Sequence, residues 1–206
     1  NLIVKAKNKK QQILLREINH RVKNNMQMIS GFLHLQAGKT QDPHTKIILE
    51  ETKSSIYSIA KVYDHLYQSD DLELVNLKAY FKSLIDNFKE MSSFKNIFFE
   101  QNVEDIGLHF EKVISLGIIV NELITNSIKH GIESTKGDIK LDLSSVENKI
   151  VLIYKDNGKP RDIPIVISKN TKGLKLIQML VNDMRGVMEF NTDNGFFMKI
   201  VIEHEL

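Results

Sequence analysis

His20 is the residue with the clearest capacity for chemistry in the first third of the chain. It lies in the densely polar stretch 19–25, which reads Asn-His-Arg-Val-Lys-Asn-Asn, within a long segment that contains no proline. Neutral imidazole is a good nucleophile near pH 7. Glu17, one helical turn earlier, is a candidate to hold the imidazole tautomer or to take up its proton. A solvated surface histidine is the common alternative, and the polar neighbours favour the nucleophile.

A second cluster combines a carboxylate, an amide, an amine and an imidazole within one predicted helix. Glu122, Asn126, Lys129 and His130 fall within an arc of roughly 100° on a helical wheel. Mg²⁺ takes oxygen ligands and keeps several waters, and lysine and imidazole can neutralise phosphate oxygens. The cluster therefore suits a magnesium–phosphate complex. The simpler alternative is a solvated polar face.

Two further segments place glycine beside groups that can bind a ligand. Asp156 follows an apolar run and precedes Asn157 and Gly158, so it forms either an ordinary turn or an acceptor for an exocyclic amine. Gly173 lies at the start of a predicted helix, where free backbone N–H groups can bind anions. A single glycine is weak evidence alone.

Composition excludes several classes of protein. The 206 residues are 42% hydrophobic and 26% charged, with no cysteine and a net charge of +2. Apolar content of this size excludes a disordered chain, and the lack of cysteine excludes disulfide scaffolds and thiolate metal sites. The charge balance predicts no nucleic-acid partner. Without an apolar run of about 20 residues or a signal peptide, we expect a cytoplasmic segment, and the start at Asn1 suggests part of a longer protein.

The first 70 residues predict a helical hairpin. Residues 8–37 and 43–67 have helical periodicity, with Gly38 as a C-terminal stop and Asp42 as an N-cap before Pro43. The apolar stripe of the first helix consists of Leu14, Leu15, Ile18, Val22, Ile29, Phe32 and Leu33. One hairpin can cover only part of such a stripe, so we expect a homodimer with a four-helix bundle.

Residues 71–206 predict a second domain, separated from the hairpin by the polar run 68–71. Helical segments alternate with strand-like ones, which predicts an α/β sandwich with a mostly antiparallel sheet. The predicted helices are 76–91, 111–130 and 172–185, and the predicted strands are 96–103, 138–146, 150–154, 187–191 and 196–203. The fold class is therefore α+β.

In this order, the segments resemble the catalytic core of a sensor histidine kinase of two-component signalling. Residues 15–27 are similar to the phosphoacceptor box of the branch that reads His-Arg-x-x-Asn, and residues 121–130 resemble the N-box of Bergerat-type ATP-binding domains. Residues 156–158 resemble the first glycine box, and Gly173-Leu174 with Leu176-Ile177 the second. Residues 194–196 resemble the closing glycine–aromatic element.

The resemblance implies a role for each of these residues. His20 would accept the γ-phosphoryl group of ATP and pass it to an aspartate of a response regulator, with a sensory domain upstream in the full-length protein. Asn126 would bind Mg²⁺, with Glu122 assisting through water. The remaining nucleotide contacts would come from Lys129, His130, Asp156, Gly158, Gly173 and Leu174. Arg21 stands where other branches place an acidic base, so Glu17 is the candidate base.

Two departures from the family pattern support an alternative. Pro160 stands where a second glycine is expected, and Lys172 replaces a glycine of the second box. A phosphotransfer or docking scaffold with a degenerate ATP-binding domain would fit these departures. The complete set Glu122, Asn126 and Lys129 favours a working kinase.

Overall fold

The computed structural model describes residues 2–68, 74–90, 96–130, 132, 136–159 and 172–204. The chain divides into two compact units, Asn1–Val75 and Asn76–Leu206. Within the described ranges, no helix is both long enough and apolar enough to cross a membrane. The segments 69–73 and 160–171, which include part of the predicted linker and Pro160, lie outside the described residues.

The first unit is the predicted helical hairpin. Helix α1 (Leu2–Lys39) and helix α2 (Pro43–Gln68) pack against each other. The prediction that Gly38 stops α1 is wrong. The helix runs through it to Lys39, and Thr40 N still donates to Gln36 O at 3.0 Å. Glycine does not end a helix unless it takes a positive φ, and the described glycine with positive φ is Gly195.

Asp42 caps α2 as predicted. Its Oδ2 accepts from Thr45 N at 2.9 Å, and its Oδ1 accepts from His44 N at 3.3 Å. The side-chain hydrogen bond from the Thr45 hydroxyl is the main reason why the pKa of Asp42 lies below its usual value. These bonds satisfy N–H groups that have no partner within the first helical turn.

The hairpin covers only part of its apolar surface. Ala37 and Val62 are buried, whereas several large apolar side chains of α1 are 43–67% exposed: Leu14, Ile18, Met28, Ile29, Phe32 and Leu35. This exposed set includes four members of the predicted stripe. An apolar face of this kind is costly in water and is available to pack against a second copy.

The second unit is an α/β sandwich, which confirms the predicted fold class. Its elements in order are β1 (Leu74–Asn76), which begins just before the unit boundary, α3 (Leu77–Glu90), β2 (Ile97–Val103), β3 (Gly107–His109), α4 (Phe110–His130), β4 (Gly137–Val146), β5 (Lys149–Asp156), α5 (Lys172–Asp183), β6 (Val187–Asn191) and β7 (Phe197–Glu203). The main sheet has the order β2-β4-β5-β7-β6, and β1 pairs with β3.

The main sheet is antiparallel except at one edge. Strands β2 and β4 are parallel, with Ile97 opposite Gly137, and the other three pairs are antiparallel. Alternate residues of the strands are buried, such as Ile139, Leu141 and Leu143 in β4. Helices α3, α4 and α5 contact β2, β5 and β6, respectively. The core therefore lies between one helical layer and one face of the sheet.

The elements differ from the predictions mainly at their ends. Helix α5 ends at Asp183 rather than at residue 185 because Arg185 takes a φ of 55° and Gly186 N donates back to Val181 O at 2.8 Å. This is a left-handed helix termination. The three-residue strands β1 and β3 were not predicted, since three residues are too few to show an alternating pattern.

Candidate functional site

His20 lies exposed in the middle of α1. Its Nδ1 is 3.3 Å from the side-chain nitrogen of Asn24, one turn later. Glu17 accepts a hydrogen bond of 2.8 Å from Arg21 Nε and forms an ion pair with it. The helix therefore provides an amide partner for the imidazole at i+4, while the carboxylate proposed as its base is held by the neighbouring guanidinium.

A groove between α1 and α2 begins one turn beyond His20. Its α1 side carries Lys23 and Gln27, and its α2 side carries Tyr57 and Asp64. Lys23 and Asp64 form an ion pair across the groove, and the Lys61 ammonium lies 5.4 Å from the centre of the Tyr57 ring. The hairpin thus presents a charged and aromatic concave surface near the histidine.

In the second unit, α4 and the start of α5 bring three predicted residues together. A Cβ built at Gly173 would lie 3.1 Å from Asn126 Nδ2 and 3.2 Å from Glu122 Oε2. Glu122 and Asn126 are one turn apart on α4, so both face the first turn of α5. The N–H groups in the first turn of a helix have no partner within the helix itself, and together with the helix dipole they favour an anion there.

Burial changes the titration of two groups on α4. It raises the pKa of Glu122 above its usual value and lowers the pKa of Lys129 below its usual value. In both cases desolvation disfavours the charged form. Lys129 lies near the end of α4, and Leu174 is buried in the first turn of α5. The side chain of His130 lies outside the described part of the chain.

The carboxylate of Asp156 is held from several sides. It is 5% exposed. Its Oδ1 accepts from Gly158 N and from Phe196 N, each at 2.9 Å, and its Oδ2 accepts from Ser127 Oγ. Ser127 directly follows Asn126 on α4, so this helix supports both the carboxylate and the proposed metal-binding amide.

Gly195 permits the close approach that completes this arrangement. It has a φ of +85°, and a Cβ built there would overlap the carbonyl oxygen of Asp156. The approach also allows Asp156 N to donate to Phe196 O at 2.9 Å. Only glycine adopts this conformation without strain. The glycine–aromatic segment therefore acts by bringing the backbone of Phe196 to Asp156.

Asn157 fixes the turn after Asp156 to the neighbouring strand. Its Nδ2 donates to Asp138 Oδ2 at 2.7 Å, and its Oδ1 accepts from Asp138 N at 2.8 Å. The strand end that carries Asp156 is thus anchored on both sides.

The structure brings most of the predicted nucleotide-site residues of the second unit into two neighbouring groups. Glu122, Asn126 and Gly173 form one group, and Asp156 and Gly158 form the other. Sequence reasoning missed Ser127 and Tyr154, whose hydroxyls are 2.7 Å apart. The sequence did contain a signal for Tyr154. It lies two residues before Asp156 in β5, so both side chains lie on the same, buried face of the strand.

The donor set near Gly173 fits a magnesium–phosphate complex. The carboxylate of Glu122 and the amide oxygen of Asn126 are hard oxygen ligands, and they adjoin the N-terminus of a helix. Mg²⁺ commonly binds through one or two protein oxygens together with phosphate oxygens and water.

Comparisons with known proteins agree with this architecture. Residues 17–92 match a family described as histidine kinase (HisKA_2). The chain is 28% identical over 171 residues to the sensor histidine kinase PdtaS of Mycolicibacterium smegmatis, covering 81% of this chain and 34% of the relative. It is 28% identical over 190 residues to PdtaS of Mycobacterium tuberculosis, covering 87% of this chain and 38% of the relative. It thus spans little more than a third of these relatives.

A solved structure shares the fold of both units. The histidine kinase domain of the blue-light activated histidine kinase EL346 of Erythrobacter litoralis has a TM-score of 0.68 at 19% identity, covering 92% of this chain and 90% of that one. The resemblance predicted from the sequence is confirmed. Residues 17–92 match the histidine kinase family, and the chain is similar to sensor histidine kinases over most of its length.

Proposed function

We propose that this chain is a histidine kinase core that phosphorylates His20 with ATP and passes the phosphoryl group to an aspartate of a response-regulator receiver domain. The observation that carries the proposal is the combination of two sites on one chain. The first unit presents an exposed histidine within a segment that matches the histidine kinase family. The second unit groups Glu122 and Asn126 at the N-terminus of α5.

The proposed transfer forms one bond and breaks one. A ring nitrogen of His20 attacks the γ-phosphorus of ATP, the bond from that phosphorus to the β–γ bridging oxygen breaks, and ADP leaves. We assign the attack to Nε2, whose lone pair is free when Nδ1 carries the ring proton. Asn24, whose side-chain amide lies beside Nδ1, supports this tautomer when it turns its amide oxygen toward Nδ1. The ring must then lose its remaining proton, and Glu17 is the candidate acceptor. The ion pair with Arg21 places a cation beside that carboxylate.

In the second unit, the chain's own residues bind and orient the nucleotide. Asp156 accepts from the adenine amine, and the first turn of α5 with Gly173 supports the phosphates. Asn126, assisted by Glu122, would hold Mg²⁺, which neutralises charge on the phosphate oxygens. Lys129 and His130 would add phosphate contacts. Use of ATP in this way implies a cytoplasmic location for this segment.

The surfaces of the hairpin support two partners, a second copy of this chain and a receiver domain. The exposed apolar face of α1 would pair with a second copy to give a four-helix bundle. A receiver aspartate can take the phosphoryl group only if its domain contacts the hairpin close to His20. The groove lined by Lys23, Gln27, Tyr57 and Asp64 is a concave surface of the hairpin that begins one turn beyond His20.

Incubation with γ-labelled ATP and Mg²⁺ tests the kinase activity. We expect acid-labile, base-stable label on the wild-type chain and its loss in His20→Ala and Asn126→Ala. His34→Ala is the matched control, because His34 is another exposed histidine of α1, and it should retain the label.

The same experiment separates the kinase from the scaffold alternative. A chain that takes no label from ATP but accepts phosphate at His20 from a phosphorylated receiver domain would contradict the kinase proposal. That result would instead support a phosphotransfer scaffold with a degenerate ATP-binding domain.

A further inference from the structure

Two buried hydroxyl groups that take no part in the proposed phosphoryl transfer lie beneath the Asp156 carboxylate. Ser127 on α4 and Tyr154 on β5 both have 0% exposure. Their oxygens are 2.7 Å apart, and Ser127 Oγ donates to Asp156 Oδ2. A continuous line of hydrogen bonds therefore runs from the interior of the sandwich to the carboxylate.

The number of hydrogens that these groups can donate determines which group is the donor in each hydrogen bond. A serine hydroxyl has one hydrogen, and an ionised carboxylate only accepts. Because Ser127 gives its hydrogen to Asp156, Tyr154 must be the donor in the bond to Ser127. Both donors thus point toward Asp156. Loss of either hydroxyl would leave a buried polar group with one partner fewer, which is costly in a dry interior.

The other carboxylate oxygen is held from different parts of the fold. Gly158 N lies just after β5, and Phe196 N lies just before β7, and both donate to Oδ1. The carboxylate is therefore held at both oxygens by three separate segments. Rotation about its Cβ–Cγ bond would break bonds on both sides, so the plane of the carboxylate is fixed before any ligand arrives.

We propose that Ser127 and Tyr154 are positioning residues that hold Asp156 as an acceptor for a 6-amino purine and against a 6-oxo purine. This inference rests on the proposed nucleotide site. The amine of adenine donates a hydrogen bond to a carboxylate. The 6-oxo oxygen of guanine has no hydrogen to donate, so its lone pairs would face those of the carboxylate oxygen and repel them. Sites that bind a donor through buried polar groups reject an analogue that lacks it, because those groups then stay unpaired. The rejection depends on a carboxylate that cannot turn away.

Calorimetric titration of the full chain with Mg·ATP and with Mg·GTP tests the proposal. We expect Ser127→Ala and Tyr154→Phe to lower the ATP affinity by roughly 10-fold, the size of one hydrogen bond to a charged group. The GTP affinity should stay the same or rise, so the ratio of the two affinities falls. Tyr154→Phe keeps the shape of the buried ring, so it tests the hydroxyl even where Ser127→Ala disturbs folding.

Two matched controls separate positioning from general loss of stability. Tyr80→Phe removes another fully buried phenol hydroxyl, and Ser115→Ala removes a serine hydroxyl of α4 that donates to Glu111 O. Both should keep the wild-type affinity ratio. A ratio unchanged in Ser127→Ala and Tyr154→Phe would overturn the positioning role while leaving the nucleotide site in place. No ATP binding by the wild-type chain would overturn both proposals.

Discussion

At the residue scale, Glu122 combines a proposed functional role with a cost to folding. Burial raises its pKa above the usual value of 4.5, because its surroundings in the folded state disfavour the charged form. The folded form binds a proton more tightly than the unfolded form. This group therefore contributes less stability as pH rises from about 4.5 through the raised folded pKa.

We predict that Glu122→Gln raises the melting temperature of the second unit by about 2–4 °C at pH 7–8 and lowers phosphorylation of His20. Scanning calorimetry between pH 4 and pH 8 measures the first effect, and the difference should shrink toward pH 4. Glu189→Gln, which changes an exposed carboxylate, is the control. A difference that grows toward acid pH would contradict this account of the site.

The residues of the site differ in how far the sequence predicts them. Glu122, Asn126 and Gly173 lie at helical spacing or at a helix start, and the structure places them together. Ser127 and Tyr154 form a pair only because α4 packs on β5, and no local pattern encodes that contact. Asn24 lies four residues after His20, and its contact with Nδ1 follows from the i, i+4 geometry of one helix.

At the element scale, the packing of α3 on α4 depends on a missing side chain. A Cβ built at Gly117 would overlap the hydroxyl oxygen of Tyr80 and lie 2.9 Å from its Cζ. Tyr80 is fully buried, so its ring has no room to move aside. The glycine thus sets how closely the two helices approach.

We predict that Gly117→Ala lowers the free energy of unfolding of the second unit by roughly 1–3 kcal/mol because the interior becomes overpacked. Tyr80→Phe in the same chain should recover part of this loss. Urea denaturation measures both. Gly31→Ala is the control, since nothing lies within 4 Å of a Cβ there. It should stabilise α1 by about 0.5–1 kcal/mol. Equal effects at the two glycines would rule out the packing argument.

Helices and long strands follow from the sequence more closely than their ends do. The amphipathic periods of α2, α3 and α4 predict their bounds to within one residue, because each buries one continuous stripe. The end of α1 depends instead on whether Gly38 takes a positive φ, which is a choice between two conformations of similar energy. The parallel pairing of β2 with β4 depends on contacts distant in sequence.

At the scale of the whole molecule, the predicted homodimer depends on the exposed apolar face of α1. Phe32 is 59% exposed and Ile18 is 54% exposed, and both belong to the predicted apolar stripe. A charge placed on this face would have to lose its water in a dimer, which is costly without a partner.

We predict that Phe32→Asp converts a dimer into a monomer, with a loss of at least 10-fold in dimer affinity. Sedimentation equilibrium measures the change. Phe98→Asp is the matched control, because Phe98 is an exposed phenylalanine of the second unit, on β2, and it should leave the dimer intact. Dissociation by Phe98→Asp with no effect of Phe32→Asp would place the interface elsewhere.

The position of β7 has a consequence for synthesis of the chain. Although β7 follows β6 in the sequence, it lies between β5 and β6 in the sheet, and the residue before it supplies an N–H to Asp156. A nascent chain that ends before residue 196 exposes unpaired edges of both neighbours, and such edges attract other strands. On the ribosome, the second unit can therefore neither close its sheet nor form its proposed nucleotide site until β7 has emerged.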